Sequence, residues 1–337
     1  MKILVSSHAF APSIGGIETV SRLLAEEFCR LGHEVAIVTQ SSGESAETFP
    51  FPIHRQPAVA KLFHLVRWGD VFWQNNLSLR TLWPAFLLRR PVVITHAGSY
   101  ARRPAGLDLV QRLKLAVVNR MTSVAISRFV ADCFKTCSTI IPNPYDARLF
   151  TDGSLTPERS GDLIFVGRLV SEKGLDILLA SLARLRAEGL LPRLTIVGAG
   201  PELTAMQEMA RNLGVSDQVT FTGPKRGAAL AEILHRHKIL VIPSRYDEPF
   251  GIVALEGIAC GCVAVGSSGG GLPEAVGLCG VTFPNGDAKA LASILGQVLR
   301  QPNECRRLLL NAPQHLAKFH PAVIANAYLT LFQLKIR

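Results

Sequence analysis

The chain reads as an α/β protein made of two successive domains, each a parallel sheet with helices on both faces. Three observations carry that expectation. Strand-length apolar runs alternate with helix-period segments from Lys2 onward. The alternation restarts at Asp162 after residues 151–161, whose Asp, Gly, Ser and Pro content is that of a linker. A length of 337 residues is long for one core and comfortable for two.

The first half opens with a strand at 2–6 and a loop holding Gly15 and Gly16. A helix follows over 18–31, stopped by Gly32, and then a strand at 34–39. This is a β-α-β unit of a length suited to a right-handed parallel crossover. Gly15 and Gly16 stand where backbone approaches a ligand at the carboxyl edge of a sheet, although a plain tight turn explains them equally well. They do not form the G-x-G-x-x-G fingerprint. Residues 41–90 give a coarser pattern, with a strand entering a loop at 70–75 and a helix at 79–89 that Pro84 can kink. A buried strand at 91–95 ends at His96, a position that faces the ligand crevice of an open parallel sheet. Residues 106–120 form an amphipathic basic segment, which either packs on the sheet or rests on a membrane surface. Short strands at 123–127 and 138–142 close this half.

In the second half a strand at 162–166 leads into a loop at 167–174 with glycine at both ends, then a helix at 175–190. Strands at 194–197, 219–224, 239–242 and 263–266 continue the alternation, and an apolar-sided helix at 322–335 ends the chain. The expected boundaries are 1–150 for the first domain, 160–318 for the second and 319–337 for a C-terminal helix. The cleft between two such domains is the default ligand site.

Composition narrows the class. With 48% hydrophobic and 18% charged residues the chain is globular. Its apolar runs fall short of the ~20 residues that span a bilayer, and its first residues read as a strand rather than a signal peptide, so a cytoplasmic protein is expected. The seven cysteines lack C-x2-C pairs and nearby histidines, which favours reduced thiols over zinc. The net charge of +10 is uneven: residues 55–120 carry eleven basic residues against Asp70 and Asp108, whereas from Asp146 onward the balance is twenty to seventeen. Such a surface either solubilises the protein or meets an anionic partner, phospholipid headgroups or a lipid-linked diphosphate. Nucleic acid is set aside, because no recognition module accompanies the charge.

The densest chemistry lies in residues 244–256, Ser-Arg-Tyr-Asp-Glu-Pro-Phe-Gly-Ile-Val-Ala-Leu-Glu. Here a strand gives way to a loop and a helix, placing Glu248 beside helix amides that lack intrahelical acceptors and suit a phosphate or a sugar hydroxyl. Glu256 follows about two turns into the helix at ~3.6 residues per turn. The plainer reading makes Glu248 a cap and Glu256 a surface charge. Arg168 and Lys173, between Gly167 and Gly174, offer a planar fork and a compact charge to a diphosphate, or else are two exposed cations. No D-x-D sequence occurs. The expectation is therefore a site without metal, using cations and a helix end.

These residues together resemble the retaining glycosyltransferases of the family 4 type, the glycosyl transferases group 1. The likeness rests on Glu-Pro-Phe-Gly at 248–251, the E-x7-E pair Glu248 and Glu256, Gly-Arg-Leu-x3-Lys-Gly at 167–174, and the glycine-rich run ending in Leu-Pro-Glu274. It extends over nearly the whole chain. It implies a GT-B fold, two facing Rossmann-like domains with an interdomain cleft. The implied activity is retaining transfer of a hexose from a nucleoside-diphosphate sugar to an acceptor hydroxyl, without cofactor or metal. His96, Arg168, Lys173 and Glu248 would be the catalytic set, with His96 near the sugar's 6-position and Glu248 on its hydroxyls. Gly15, Gly16 and Gly167 would line the donor phosphates. Amides near Phe250, Gly251 and Ile252 would hold the sugar or distal phosphate, and Glu256 the ribose. The chain departs from the family pattern at Phe72-Trp-Gln-Asn-Asn76 and in its short first domain, both on the acceptor side. The implied acceptor is a glycan, a lipid-linked species or a small molecule, with peripheral contact to an anionic inner membrane face through the basic half. Two other readings stay open, a sugar-nucleotide epimerase on the same scaffold and a non-catalytic nucleotide-sugar binding or membrane-associated protein.

Overall fold

The structure is a computed structural model, and it describes residues 1–13, 15–43, 47–98, 121–134, 139–151 and 159–336. The basic segment expected at 106–120 and most of the linker lie outside the described residues. The chain forms two compact units, Met1–Pro144 with Phe319–Arg337, and Tyr145–Lys318.

The first unit contains β1 (Lys2–Ser7), α1 (Gly16–Arg30), β2 (Glu34–Thr39), β3 (Ile53–Arg55), α2 (Val59–Trp68) and β4 (Val71–Asn75). It continues with α3 (Leu79–Leu87), β5 (Val92–His96), β6 (Thr122–Ala125), α4 (Arg128–Asp132) and β7 (Thr139–Ile140). The strands make a seven-stranded sheet in the order β3-β2-β1-β4-β5-β6-β7, with every pair parallel. β4 and β5 are buried along their whole length, as strands covered on both faces are; their apolar residues 71–73 and 92–94 lead into buried polar carboxyl ends, Gln74, Asn75, Thr95 and His96.

The second unit holds β8 (Gly161–Val166), α5 (Leu175–Ala187), β9 (Leu194–Val197), α6 (Leu203–Asn212), β10 (Val219–Phe221) and α7 (Gly227–His235). After these come β11 (His237–Ile242), α8 (Ile252–Ala259), β12 (Val263–Ser267), α9 (Leu272–Val276) and β13 (Gly280–Phe283). The helices α10 (Ala288–Arg300), α11 (Pro302–Leu309) and α12 (Ala312–Ala317) close the unit. Its six-stranded parallel sheet runs β10-β9-β8-β11-β12-β13. Leu163 and Phe165 of β8, Ile177, Leu178 and Leu182 of α5, and Leu291 and Leu295 of α10 sit in one buried cluster. The strand order reverses between β8 and β11, which are neighbours in register Leu163 to Ile239. The loops leaving their carboxyl ends therefore lie side by side, at the point where open α/β sheets take ligands.

The last helix, α13 (Pro321–Ile336), belongs to the first unit. Tyr328 and Phe332 lie 5.0 and 6.4 Å from the ring of Trp73, and Phe332 lies 5.8 Å from Phe28 of α1. Trp73 is fully buried, and its indole N–H donates to Thr95 Oγ1 at 2.9 Å. The Tyr328 and Thr95 hydroxyls share a hydrogen bond of 2.8 Å across 233 positions of sequence. Burying an aromatic polar group with a partner is what makes its burial favourable.

Candidate functional site

The site grows from the two loops at the reversal point of the second sheet. After β8 the chain makes one 3-10 turn, Ser171–Lys173, and ends it at Gly174 with φ 67°. A Cβ there would stand 1.9 Å from the carbonyl oxygen of Pro243, so only glycine lets this turn pack against the end of β11. The Arg245 amide donates to the Glu172 carbonyl at 2.9 Å, and the Arg245 guanidinium pairs with Asp176. These ties fix the position of Lys173.

Lys173 and Glu248 meet there. Glu248 is 6% exposed. Its Oε1 accepts from Lys173 Nζ at 2.6 Å and from Ser244 Oγ at 2.6 Å, while Oε2 accepts from the Tyr246 hydroxyl at 2.5 Å. Lys173 Nζ also reaches the Tyr246 oxygen at 3.2 Å and lies 5.1 Å from that ring's centroid, in cation–π range. Burial, followed by the charge of Glu248, pushes the Tyr246 phenol far up, so it keeps its proton and donates. With three donors accepted, the carboxylate retains acceptor capacity for a ligand.

Backbone contacts hold Glu248 from behind. It bridges to Gly270, and its carbonyl accepts from the Gly271 amide at 2.7 Å. Gly270 has φ 75°, and a Cβ on it would lie 2.2 Å from the Glu248 carbonyl oxygen. The Gly269 amide donates to Asn285 Oδ1 at 2.8 Å. The glycine-rich run thus works by close approach of backbone to backbone.

Helix α8 starts at Gly251, φ 100°, with no side-chain cap. The Glu248 carboxylate accepts from Lys173, Ser244 and Tyr246 and not from the helix amides, contrary to the plainer reading of the sequence. The Ala254 amide turns back to the Gly251 carbonyl at 3.0 Å, which leaves the amides of Ile252 and Val253 to an anion. Phe250 is buried, so only its backbone can serve a ligand. Gly167, by contrast, is placed by its amide, which donates to the Val197 carbonyl at 3.0 Å. Arg168 is exposed in the same loop. The sequence suggests Arg168 and Lys173 as a pair of phosphate cations; Lys173 pairs with Glu248, while Arg168 stays exposed, its charge reaching Tyr246 of the same cluster.

Glu256 lies in α8, and burial, then the nearby Asp146, pushes its carboxyl up to about 7. The unfolded chain ionises this group near its ordinary value, about 4.3, so over that window the folded state holds the extra proton and stability falls as pH rises. Glu256→Gln is expected to flatten that decline and to be the more stable protein above the folded pKa. Urea midpoints of both proteins across this pH range check it, and parallel curves would remove the assignment.

In the first unit Gly15 is extended, and a Cβ there would meet only the flexible end of Glu18. Gly16 is the first residue of α1, so this loop carries no left-handed constraint at Gly15. His96 closes β5 at its carboxyl end. It is fully buried, stacked on Phe134 with ring centroids 4.4 Å apart, and burial lowers it to about 4, so it is neutral at neutral pH. Ser244 and Tyr246 were given no role by sequence. Their meeting with Glu248 depends on the bends at 245 and 246, which strand periodicity does not encode. Among the described residues no group of three or more His, Cys, Asp or Glu side chains is placed to hold a metal.

Residues 149–315 match the family model described as glycosyl transferases group 1. The second unit is a domain of that family. Among curated proteins, glycogen synthase of Mycobacterium tuberculosis is 38% identical over 182 residues, covering 53% of this chain and 44% of the relative. D-inositol 3-phosphate glycosyltransferase of Corynebacterium jeikeium is 30% identical over 253 residues, covering 69% of this chain and 60% of the relative. The matched regions thus span 44% and 60% of the lengths of these relatives. The crystal structure of Anabaena HepE in complex with UDP and glucose superposes with a TM-score of 0.81 at 20% identity, over 99% of this chain and all of the other. The fold is GT-B, two parallel-sheet α/β domains.

Proposed function

We propose that this chain is a retaining glycosyltransferase of the family 4 type, moving a hexose from a nucleoside-diphosphate sugar to an acceptor hydroxyl without metal or other cofactor. The observation that carries the proposal is the cluster of Glu248, Lys173, Tyr246 and Ser244 beside the uncapped start of α8, in a domain of the group 1 family. HepE, with the same fold, was crystallised with UDP and glucose, which supports a nucleotide-sugar donor.

In this reading Glu248 takes hydroxyls of the transferred sugar, oriented by its three donors. Arg168, Lys173 and the amides of Gly251 and Ile252 balance the charge that develops on the diphosphate, and Glu256 receives the ribose. Gly15, Gly16 and His96 belong to the first unit's share of the site, His96 acting as a neutral group. The sugar's bond to the diphosphate breaks, the acceptor oxygen bonds to the same face of the anomeric carbon, and its proton passes to the departing diphosphate. The acceptor is a glycan, a lipid-linked species or a small molecule, the protein is cytoplasmic, and the first unit meets an anionic membrane face.

Two measurements test this. Transfer, or slow donor hydrolysis, is expected to fall sharply in Arg168→Ala while donor binding persists, and to be unaffected by EDTA. Full activity in the variant would end the role of Arg168. Abolition of activity by EDTA, with recovery on adding a divalent ion, would overturn metal independence. Interconversion of the donor sugar without acceptor, seen by NMR, would favour the epimerase instead.

A further inference from the structure

The first unit carries a surface that the donor chemistry does not use. On α2 and α3 large apolar side chains face solvent: Val59 is 60% exposed, Trp83 39%, Phe86 44% and Leu87 68%. Trp83, Phe86 and Leu87 fall at i, i+3 and i+4 on one helix, and so form one stripe. Trp83 packs edge-on to Phe63 of α2 with centroids 5.1 Å apart, and Val59 and Trp83 line the same depression, which joins the two helices into one apolar band.

Cations border that band. Arg80 lies at one end, while Arg67 and Arg89 lie exposed at the other, where Arg90 donates to the Arg67 carbonyl. Between residues 55 and 98 there are six basic residues, Arg55, Lys61, Arg67, Arg80, Arg89 and Arg90, against one acid, Asp70. The Asp70 carboxylate already accepts from the Lys2 amide at 2.7 Å.

We infer that the α2–α3 face docks on an anionic lipid bilayer, with Trp83, Phe86 and Leu87 entering the headgroup region and the arginines meeting lipid phosphates. It rests on the anionic membrane partner proposed above, and not on sugar transfer. The choice of occupant follows from charge. A two-fold contact with a second copy sets the same patch against itself, and would place arginines against arginines. A bilayer instead offers negative charge at the rim and an apolar interior beneath it, which suits an amphipathic tryptophan and arginines with extended stems. No described helix is long and apolar enough to cross a membrane, so the attachment is interfacial.

The test is co-sedimentation of the full chain with vesicles of phosphatidylcholine alone and with phosphatidylglycerol added. Binding is expected only to the anionic vesicles, weakening with salt. Arg80→Gln and Arg89→Gln are expected to lower it by about fivefold each, the factor that corresponds to ~1 kcal/mol per basic residue. Phe86→Ser with Leu87→Ser is expected to abolish retention, while far-UV circular dichroism and donor binding stay unchanged, since both side chains are exposed. Equal binding to neutral vesicles, no binding at all, or undiminished binding by the double variant would overturn the inference. So would a dimer in sedimentation velocity that the double variant dissolves, which would assign the face to a second copy.

Discussion

Glu248→Ala is expected to reduce the transfer rate by about a hundredfold or more, the scale of removing one preorganised polar group from a reacting site. It should also lower folding stability by about 2 kcal/mol. The second effect follows because Ser244, Tyr246 and Lys173 all lose their acceptor at once. Glu248→Gln keeps the shape and an acceptor oxygen, so it separates the two effects, with stability largely restored and rate still low. Steady-state kinetics and urea midpoints of both variants check this. A cycle with Lys173→Met adds a further readout, because residues in direct contact give non-additive changes. An alanine variant as fast as the parent would remove Glu248 from the chemistry, and additive effects would mean that the pairing with Lys173 carries no coupling.

Gly174→Ala is the second large effect. Positive φ alone costs an alanine about 1 kcal/mol, and overlap with the Pro243 carbonyl at 1.9 Å forces backbone to move. Together these should destabilise the protein by about 3 kcal/mol. The displaced turn carries Lys173, so transfer should fall too. Gly189→Ala is the control, since its φ is 78° but nothing lies within 4 Å of the added carbon. It should lose only about 1 kcal/mol and keep its rate. Equal thermal shifts for the two variants would show that the Pro243 contact yields freely.

Why some of this was legible in the sequence, and some not, has a physical cause in each case. β1, β8 and β11 announce themselves because strands covered on both faces carry unbroken apolar runs, here 3–5, 163–166 and 239–242. β3 is three half-buried residues at the sheet edge, too short to make a run. In α2 the helical period is blurred because Val59 and Phe63 are apolar on the outward side as well. At the site, Lys173 and Glu248 stand out by motif, but their pairing spans 75 positions and depends on β8 and β11 being neighbours. His96 is correctly placed at the end of its strand. Its burial was not legible, because a strand's direction says where a side chain starts and not what packs on it, which here includes Phe134.

The position of α13 bears on the order in which the molecule is made. Synthesis runs from the first residue to the last, so all of Tyr145–Lys318 emerges before Tyr328 and Phe332 can reach Trp73 and Thr95. During that interval the first unit lacks the cover for its largest buried ring, while the second unit already has its whole chain. Assembly of the first unit is therefore completed last, and a chain cut short before α13 would leave an apolar face open to aggregation or to a chaperone.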